Sequence, residues 1–105
     1  MSAAMTLRDF QQQIEATYGT RDRERGADGT FRWLVEEVGE LARALRDGDR
    51  PRLEEEIGDV LAWTVSLATL CGSDAGRAAA RYAGGCPKCG AMPCACGDAP
   101  GRREA

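Results

Sequence analysis

The sequence predicts an all-α domain, built like a four-helix bundle and followed by a cysteine knuckle. Through most of residues 1–83, apolar side chains recur three and four positions apart, as on the buried face of a helix. No window alternates polar and apolar residues convincingly, as a strand would. Four of the five cysteines lie between residues 86 and 96. We therefore expect a helical domain at 1–83, and a knuckle with a polar, disordered end at 84–105.

The first helix is predicted from about Thr6 to Tyr18, with Thr6 as its N-cap. Its apolar positions are Leu7, Phe10 and Ile14. The next stretch, residues 19–29, is charged and bears glycines, which predicts a loop.

The second helix is predicted from near Thr30 to Asp47, and a DGDRP turn follows it. Its apolar positions follow helical spacing: Phe31, Leu34, Val35, Val38, Leu41 and Leu45. Pro51 suits the first turn of a third helix, which runs to about Leu70. A short fourth helix then reaches about Tyr82. Because the first and third helices are short of apolar residues, we expect dimerisation to complete the core.

Charge is unevenly distributed along this chain of 105 residues and net charge −3. Residues 34–60 hold nine acidic side chains and four arginines, a poor surface for duplex nucleic acid and a good one for a cation. No histidine is present, which excludes histidine bases and histidine metal ligands. The sequence has no run of roughly 18 apolar residues and no signal-like start, so we expect no membrane partner and a cytoplasmic location.

Two segments nearly repeat each other: LVEEVGEL at 34–41 and LEEEIGDV at 53–60. At about 100° per residue, Glu37 and Glu40 share one face of the second helix. Glu56 and Asp59 share one face of the third. Each pair borders an apolar stripe, so packing of the two stripes would bring four carboxylates together. Oxygen ligands of this kind suit Mg²⁺ or Mn²⁺.

Each repeat also places a glycine within its helix, at Gly39 and Gly58. A glycine inside a helix costs roughly 1 kcal/mol relative to alanine, so we expect both to serve close helix approach beside the metal. A single acidic pair usually marks a solvated face, but the doubling favours a cation site. A di-iron centre is disfavoured because it needs histidines.

The motif Glu36-Glu37-Val38-Gly39-Glu40, followed by Glu56-Ile57-Gly58-Asp59, resembles the EExxE…ExxD signature of MazG-like all-α nucleoside triphosphate pyrophosphohydrolases. The resemblance covers residues 30–70 well. It implies Mg²⁺-dependent hydrolysis of (d)NTPs, including non-standard or damaged ones, to (d)NMP and pyrophosphate. It also implies that Glu37, Glu40, Glu56 and Asp59 are the metal ligands, and that Glu36 helps to orient the attacking water or a further cation.

Aromatic and basic residues complete the expected substrate site. Trp33 and Trp63 flank the carboxylates and either stack on the nucleobase, wall the pocket or fill the core. Arg77 and Arg81, four residues apart, either meet the outer phosphates or form an ordinary helix surface. We expect the first helix and residues 19–29 to supply the base-recognition side, and the protein to be a homodimer or homotetramer.

The cysteine spacing is C-x₂-C-x₄-C-x-C: Cys86, Cys89, Cys94 and Cys96. Four thiolates would form a closed tetrahedral site, which predicts structural zinc. A reduced, flexible tail or a redox-labile one are the alternatives. Cys71 is expected to be a small buried apolar residue.

Two functions therefore compete. The first is the hydrolase described above. The second is a non-catalytic zinc-knuckle interaction module whose acidic helices form only a dimer face. Turnover of a nucleoside triphosphate in the presence of Mg²⁺ distinguishes them.

Overall fold

The computed structural model describes residues 4–97. They form three α-helices and a final 3₁₀ turn: α1 at Leu7–Asp47, α2 at Arg50–Leu70, α3 at Ala75–Ala79 and the turn at Ala80–Tyr82. This described part contains no strand, which confirms the all-α prediction. The chain divides into two compact units between Ala75 and Gly76. The predicted disordered end, residues 98–105, lies outside the described residues.

The loop predicted at residues 19–29 is wrong, because this stretch is part of α1. Within α1, only Gly26 departs from helical geometry, with φ 82° and ψ 172°. Its charged neighbours remain helical since arginine and glutamate are good helix formers, and Asp22 pairs with Arg25 at 2.8 Å. One glycine with a positive φ and a non-helical ψ therefore divides α1 into two helical segments that meet at a kink.

The N-cap predicted at Thr6 is confirmed, and the next two helix ends are also capped. Oγ1 of Thr6 accepts a hydrogen bond from the backbone N–H of Asp9 at 3.0 Å, and the Asp9 carboxylate accepts one from the N–H of Thr6 at 3.2 Å. Gly48, with φ 68°, ends α1 in the left-handed conformation. Asp49 caps α2 by accepting from the N–H of Arg52 at 3.2 Å.

Helix α1 runs antiparallel to α2. Near the start of α1, the Gln11 amide donates to Oγ1 of Thr69 at 2.9 Å and to the carbonyl of Ser73 at 3.0 Å. Towards the end of α1, Glu40 lies 3.6 Å from the Arg52 guanidinium, at the beginning of α2. Glu37 of α1 consequently faces the middle of α2.

Few apolar side chains are fully buried in this unit; they include Ala44 and Val65, at 0% and 2% exposure. Along α1 there is instead an apolar strip open to solvent, which we call the exposed stripe: Phe31, Val35, Val38, Ala42 and Leu45. Its residues are spaced four, three, four and three apart, the spacing of a coiled-coil seam. Among residues 4–97, no helix is both long and apolar enough to cross a membrane.

The two repeated glycines do not mark close packing within the chain. A Cβ added at Gly39 or at Gly58 would meet no atom within 4 Å outside its own helix backbone. The expectation that they let α1 and α2 approach each other is therefore wrong. Cys71 is likewise exposed rather than buried, because it lies beyond the last turn of α2.

These glycines generate a first prediction. Gly39→Ala and Gly58→Ala should each stabilise the protein by about 1 kcal/mol, because alanine fits both positions and favours the helix. Denaturant unfolding measures the change.

Gly26→Ala is the matched control. Its positive φ suits only glycine, so this variant should lose stability. Destabilisation by Gly39→Ala or Gly58→Ala would instead show that another surface packs against the glycine.

Candidate metal centre

Three of the predicted ligands come together where α1 crosses α2. Carboxylate oxygens of Glu37, Glu56 and Asp59 all lie within 4.8 Å of one another. Glu37 comes from α1, whereas Glu56 and Asp59 stand three residues apart on one face of α2. Glu37 and Glu56 are half-buried and Asp59 is exposed, so the cluster opens to solvent on one side.

The cluster is electrostatically strained. Burial raises the pKa of Glu37, and so do a hydrogen bond with Glu56 and the negative charges of Asp59 and Glu56. A hydrogen bond from the Trp63 side chain lowers that pKa and offsets part of the effect. Glu37 therefore holds a proton more tightly than an isolated carboxyl group does. A cation placed among these carboxylates would be favourable for the same electrostatic reason.

One oxygen of the cluster has no partner. Oε1 of Glu56 is buried and makes no hydrogen bond. A buried acceptor of this kind is costly unless a donor or a cation contacts it. Together with an all-oxygen donor set, this orphaned atom fits a hard divalent cation such as Mg²⁺ or Mn²⁺.

The fourth predicted ligand, Glu40, is engaged elsewhere. Its carboxylate pairs with Arg43 at 2.7 Å and with Arg52 at 3.6 Å. It does not belong to the group of oxygens within 4.8 Å of one another. Glu36 is exposed and borders a surface depression beside Trp33.

The two tryptophans lie against each other next to the carboxylates. Their rings stack with centroids 6.1 Å apart and planes 16° from parallel. Trp33 remains 52% exposed, whereas Trp63 is half-buried and donates a hydrogen bond to the Glu37 carboxylate. The pair therefore forms one wall of the metal centre.

Sequence reasoning missed Arg25, whose guanidinium lies 4.7 Å above the ring of Trp63. It also donates to Asp22 at 2.8 Å and to Thr30 at 3.2 Å. Asp22 is nearly buried, at 5% exposure. An acidic residue three positions before an arginine was the available sequence signal, but it was overlooked because the segment was predicted to be a loop.

A cleft of about 200 Å³ adjoins the carboxylates. Both the first half of α1 and the middle of α2 line it: Ile14, Tyr18, Asp22, Arg25, Asp59, Ala62, Trp63 and Ser66. The cleft thus joins the carboxylate cluster, at Asp59, to a wall of aromatic and polar groups.

The remaining predicted residues belong to the second unit. Arg81 donates to the Tyr82 hydroxyl at 3.4 Å and lies 5.2 Å from that ring, and Arg77 lies on α3. The sulfur atoms of the four clustered cysteines lie within 4.8 Å of one another. Backbone N–H groups lower the pKa of Cys86 to about 6, while neighbouring sulfurs raise that of Cys96 to about 12.

The described residues thus form an all-α fold with a cluster of three carboxylates between two helices. The family profile of the MazG nucleotide pyrophosphohydrolase domain matches residues 25–83, more than half of the chain. The chain therefore belongs to the MazG family. No curated protein matched the sequence in a direct comparison.

The raised pKa of Glu37 generates a second prediction. The folded protein binds this proton more tightly than the unfolded chain does. The Glu37 contribution to stability is thus fully present below its usual pKa of 4.5 and falls as pH rises through the raised value. Without metal, Glu37→Gln should have the same melting temperature as the wild type at acidic pH. At about pH 7 it should melt at a higher temperature than the wild type.

Added Mg²⁺ should reverse this order near neutral pH, because it stabilises the wild type and not the variant. Thermal melts with EDTA and with Mg²⁺ measure both effects. Glu54→Gln, an exposed change on α2 outside the cluster, should behave like the wild type. A Glu37→Gln protein that melts lower than the wild type in EDTA would contradict the prediction.

Proposed function

We propose that this protein is a Mg²⁺-dependent hydrolase that converts (d)NTPs, including non-standard or damaged ones, to (d)NMP and pyrophosphate. One observation carries the proposal: three carboxylates from two antiparallel helices gather beside a stacked tryptophan pair, in a chain of the MazG family. Mn²⁺ is the alternative ion, since its oxygen-ligand chemistry is similar.

Glu37, Glu56 and Asp59 would hold the ion. When bound, the ion neutralises triphosphate charge and lowers the pKa of water. The orphaned Oε1 of Glu56 supports this assignment, because a cation would supply its missing partner. Glu40 would join the set only by exchanging its arginine partners, Arg43 and Arg52, for the metal.

Hydrolysis adds water to the α-phosphorus and breaks its bond to the oxygen that bridges to the β-phosphate. We assign Glu36 to orienting that water. It precedes Glu37 on α1, and its exposed carboxylate stands in solvent beside Trp33. A centre that positions water and neutralises phosphate charge has little need of a histidine base.

In this proposal, the nucleoside binds in the cleft between the first half of α1 and the middle of α2. Trp63 lines it, and the exposed face of Trp33 offers a further stacking surface. Arg25 and Asp22 supply a hydrogen-bond donor and an acceptor on the same wall.

The third prediction concerns activity. With Mg²⁺, the purified protein should release pyrophosphate from at least one nucleotide of a panel of common and modified (d)NTPs. Glu56→Gln and Asp59→Asn should each lower kcat/KM at least about 100-fold, because each removes one metal ligand. Glu54→Gln, the same type of change on the same helix, should leave kcat/KM within about twofold.

Circular dichroism separates loss of chemistry from loss of fold. All three variants should keep the helical spectrum of the wild type. An absence of turnover across the panel, with Mg²⁺ and with Mn²⁺, would refute the hydrolase and favour an interaction module.

We further propose that the exposed stripe of α1 packs against the same stripe of a second copy. A heptad-spaced seam is complementary to itself about a two-fold axis, so one copy of the chain suits another. Phe31, Val38 and Leu45 are 54%, 49% and 67% exposed in the single chain. Covering such residues would supply the apolar burial that the single chain lacks.

The fourth prediction tests this surface. Val38→Glu should convert a dimer or tetramer into a smaller species, because it places a charge at the centre of the stripe. Light scattering coupled to gel filtration measures the mass. Arg32→Glu, which puts the same carboxylate on α1 outside the stripe, should keep the wild-type mass. A wild-type monomer at all accessible concentrations would contradict the proposal.

A further inference from the structure

The second unit contains a second set of converging ligands, built from different atoms. The sulfurs of Cys86, Cys89, Cys94 and Cys96 lie within 4.8 Å of one another, and all four are free thiols. Nothing in nucleotide hydrolysis requires them. Their geometry therefore needs an explanation of its own.

The spacing of the sulfurs matches a single tetrahedral ion. A Zn–S bond of about 2.3 Å implies about 3.8 Å between sulfurs at the corners of a tetrahedron. The distance from Cys86 to Cys96 is 3.8 Å, and that from Cys89 to Cys94 is 3.9 Å. A disulfide would require about 2.05 Å, and a multi-iron cluster would spread its cysteines around a larger inorganic core.

The backbone is arranged to support negatively charged sulfur. The N–H of Ala95 donates to Sγ of Cys89 at 3.2 Å, and the N–H of Cys96 donates to Sγ of Cys94 at 3.3 Å. Bonds of this kind stabilise thiolate ligands and fix their direction. The thiols thus have the hydrogen-bond surroundings of metal ligands.

Two further hydrogen bonds close the turn that carries the first cysteine pair. Gly90 donates to the carbonyl of Cys86 at 2.7 Å, and Cys86 donates to that of Ala91 at 3.0 Å. Gly85 has φ 106°, and a Cβ there would lie 2.9 Å from the Ala91 oxygen. Only glycine fits this position, so the turn is shaped specifically for these sulfurs.

We propose that these four cysteines bind one structural Zn²⁺ ion. Four sulfur donors prefer soft or borderline ions, and a full set of protein ligands leaves no position for substrate. No side chain of residues 85–97 is fully buried in the described structure, and Met92 is 85% exposed. The metal replaces an apolar core for this short segment.

The fifth prediction is metal content. The full-length protein, purified without chelator, should contain about one zinc per chain by elemental mass spectrometry. Cys86→Ser combined with Cys89→Ser should lose it. Cys71→Ser is the matched control, because Cys71 is the one cysteine outside the cluster, and it should retain zinc. Replacement of zinc by Co²⁺ should give the visible absorption of a tetrahedral thiolate site.

This experiment is independent of hydrolysis, so it remains decisive whether or not a nucleotide is turned over. A chain that holds no zinc and gives no tetrahedral Co²⁺ spectrum overturns the proposal. Iron at the cysteines would overturn it too, as would disulfides detected by mass spectrometry of the unreduced protein. Zinc retained by the double cysteine variant would place the ion elsewhere.

Discussion

Mutual repulsion among Glu37, Glu56 and Asp59 is the constraint around which the helical unit is organised. Packing α1 against α2 forces these carboxylates within 4.8 Å of one another, and part of the cluster is withdrawn from water. The Trp63 side chain relieves only part of the resulting strain on Glu37. Polar contacts between the helices lie away from the cluster, at Gln11 on one side and Arg52 on the other, whereas the stacked tryptophans lie beside it. The fold therefore bears an unfavourable charge arrangement that a bound cation would make favourable.

The arginines of this unit are placed so that they do not neutralise the cluster. Arg52 pairs with Glu40 and Asp47, and Arg25 pairs with Asp22. In the described residues, no ion pair reaches the three clustered carboxylates. An arginine at that point would have satisfied the oxygens permanently and displaced the metal. Because these arginines pair with other carboxylates, the negative charge of the cluster remains available to a divalent ion.

Features that depend on residues close together in the sequence could be predicted, whereas features that depend on contacts between distant residues could not. The caps at Thr6 and Asp49 and the shared face of Glu56 and Asp59 depend on residues three positions apart, so they were predictable. The pairing of Glu40 with Arg43, three residues later, was equally local, whereas its longer contact with Arg52 depends on another helix and was not predictable. Residues 19–29 were mistaken for a loop because glycine and charge usually mark one, whereas here the helical backbone is interrupted only at Gly26, and Asp22 and Arg25 form an ion pair within the segment before it. Exposure of Cys71 and open space at the two glycines likewise depend on three-dimensional packing.

The short turn at Gly48 allows residues that are close together in the sequence to form the carboxylate cluster. It joins two helices whose facing carboxylates and tryptophans all fall between Trp33 and Trp63. The metal centre is therefore a structure of low contact order, which a single helical hairpin can assemble. Much of the cleft wall, including Arg25, comes from the part of α1 that precedes this hairpin. The carboxylate cluster and much of the cleft wall are thus encoded in separate stretches, so the sequence of the second can change while the first is kept.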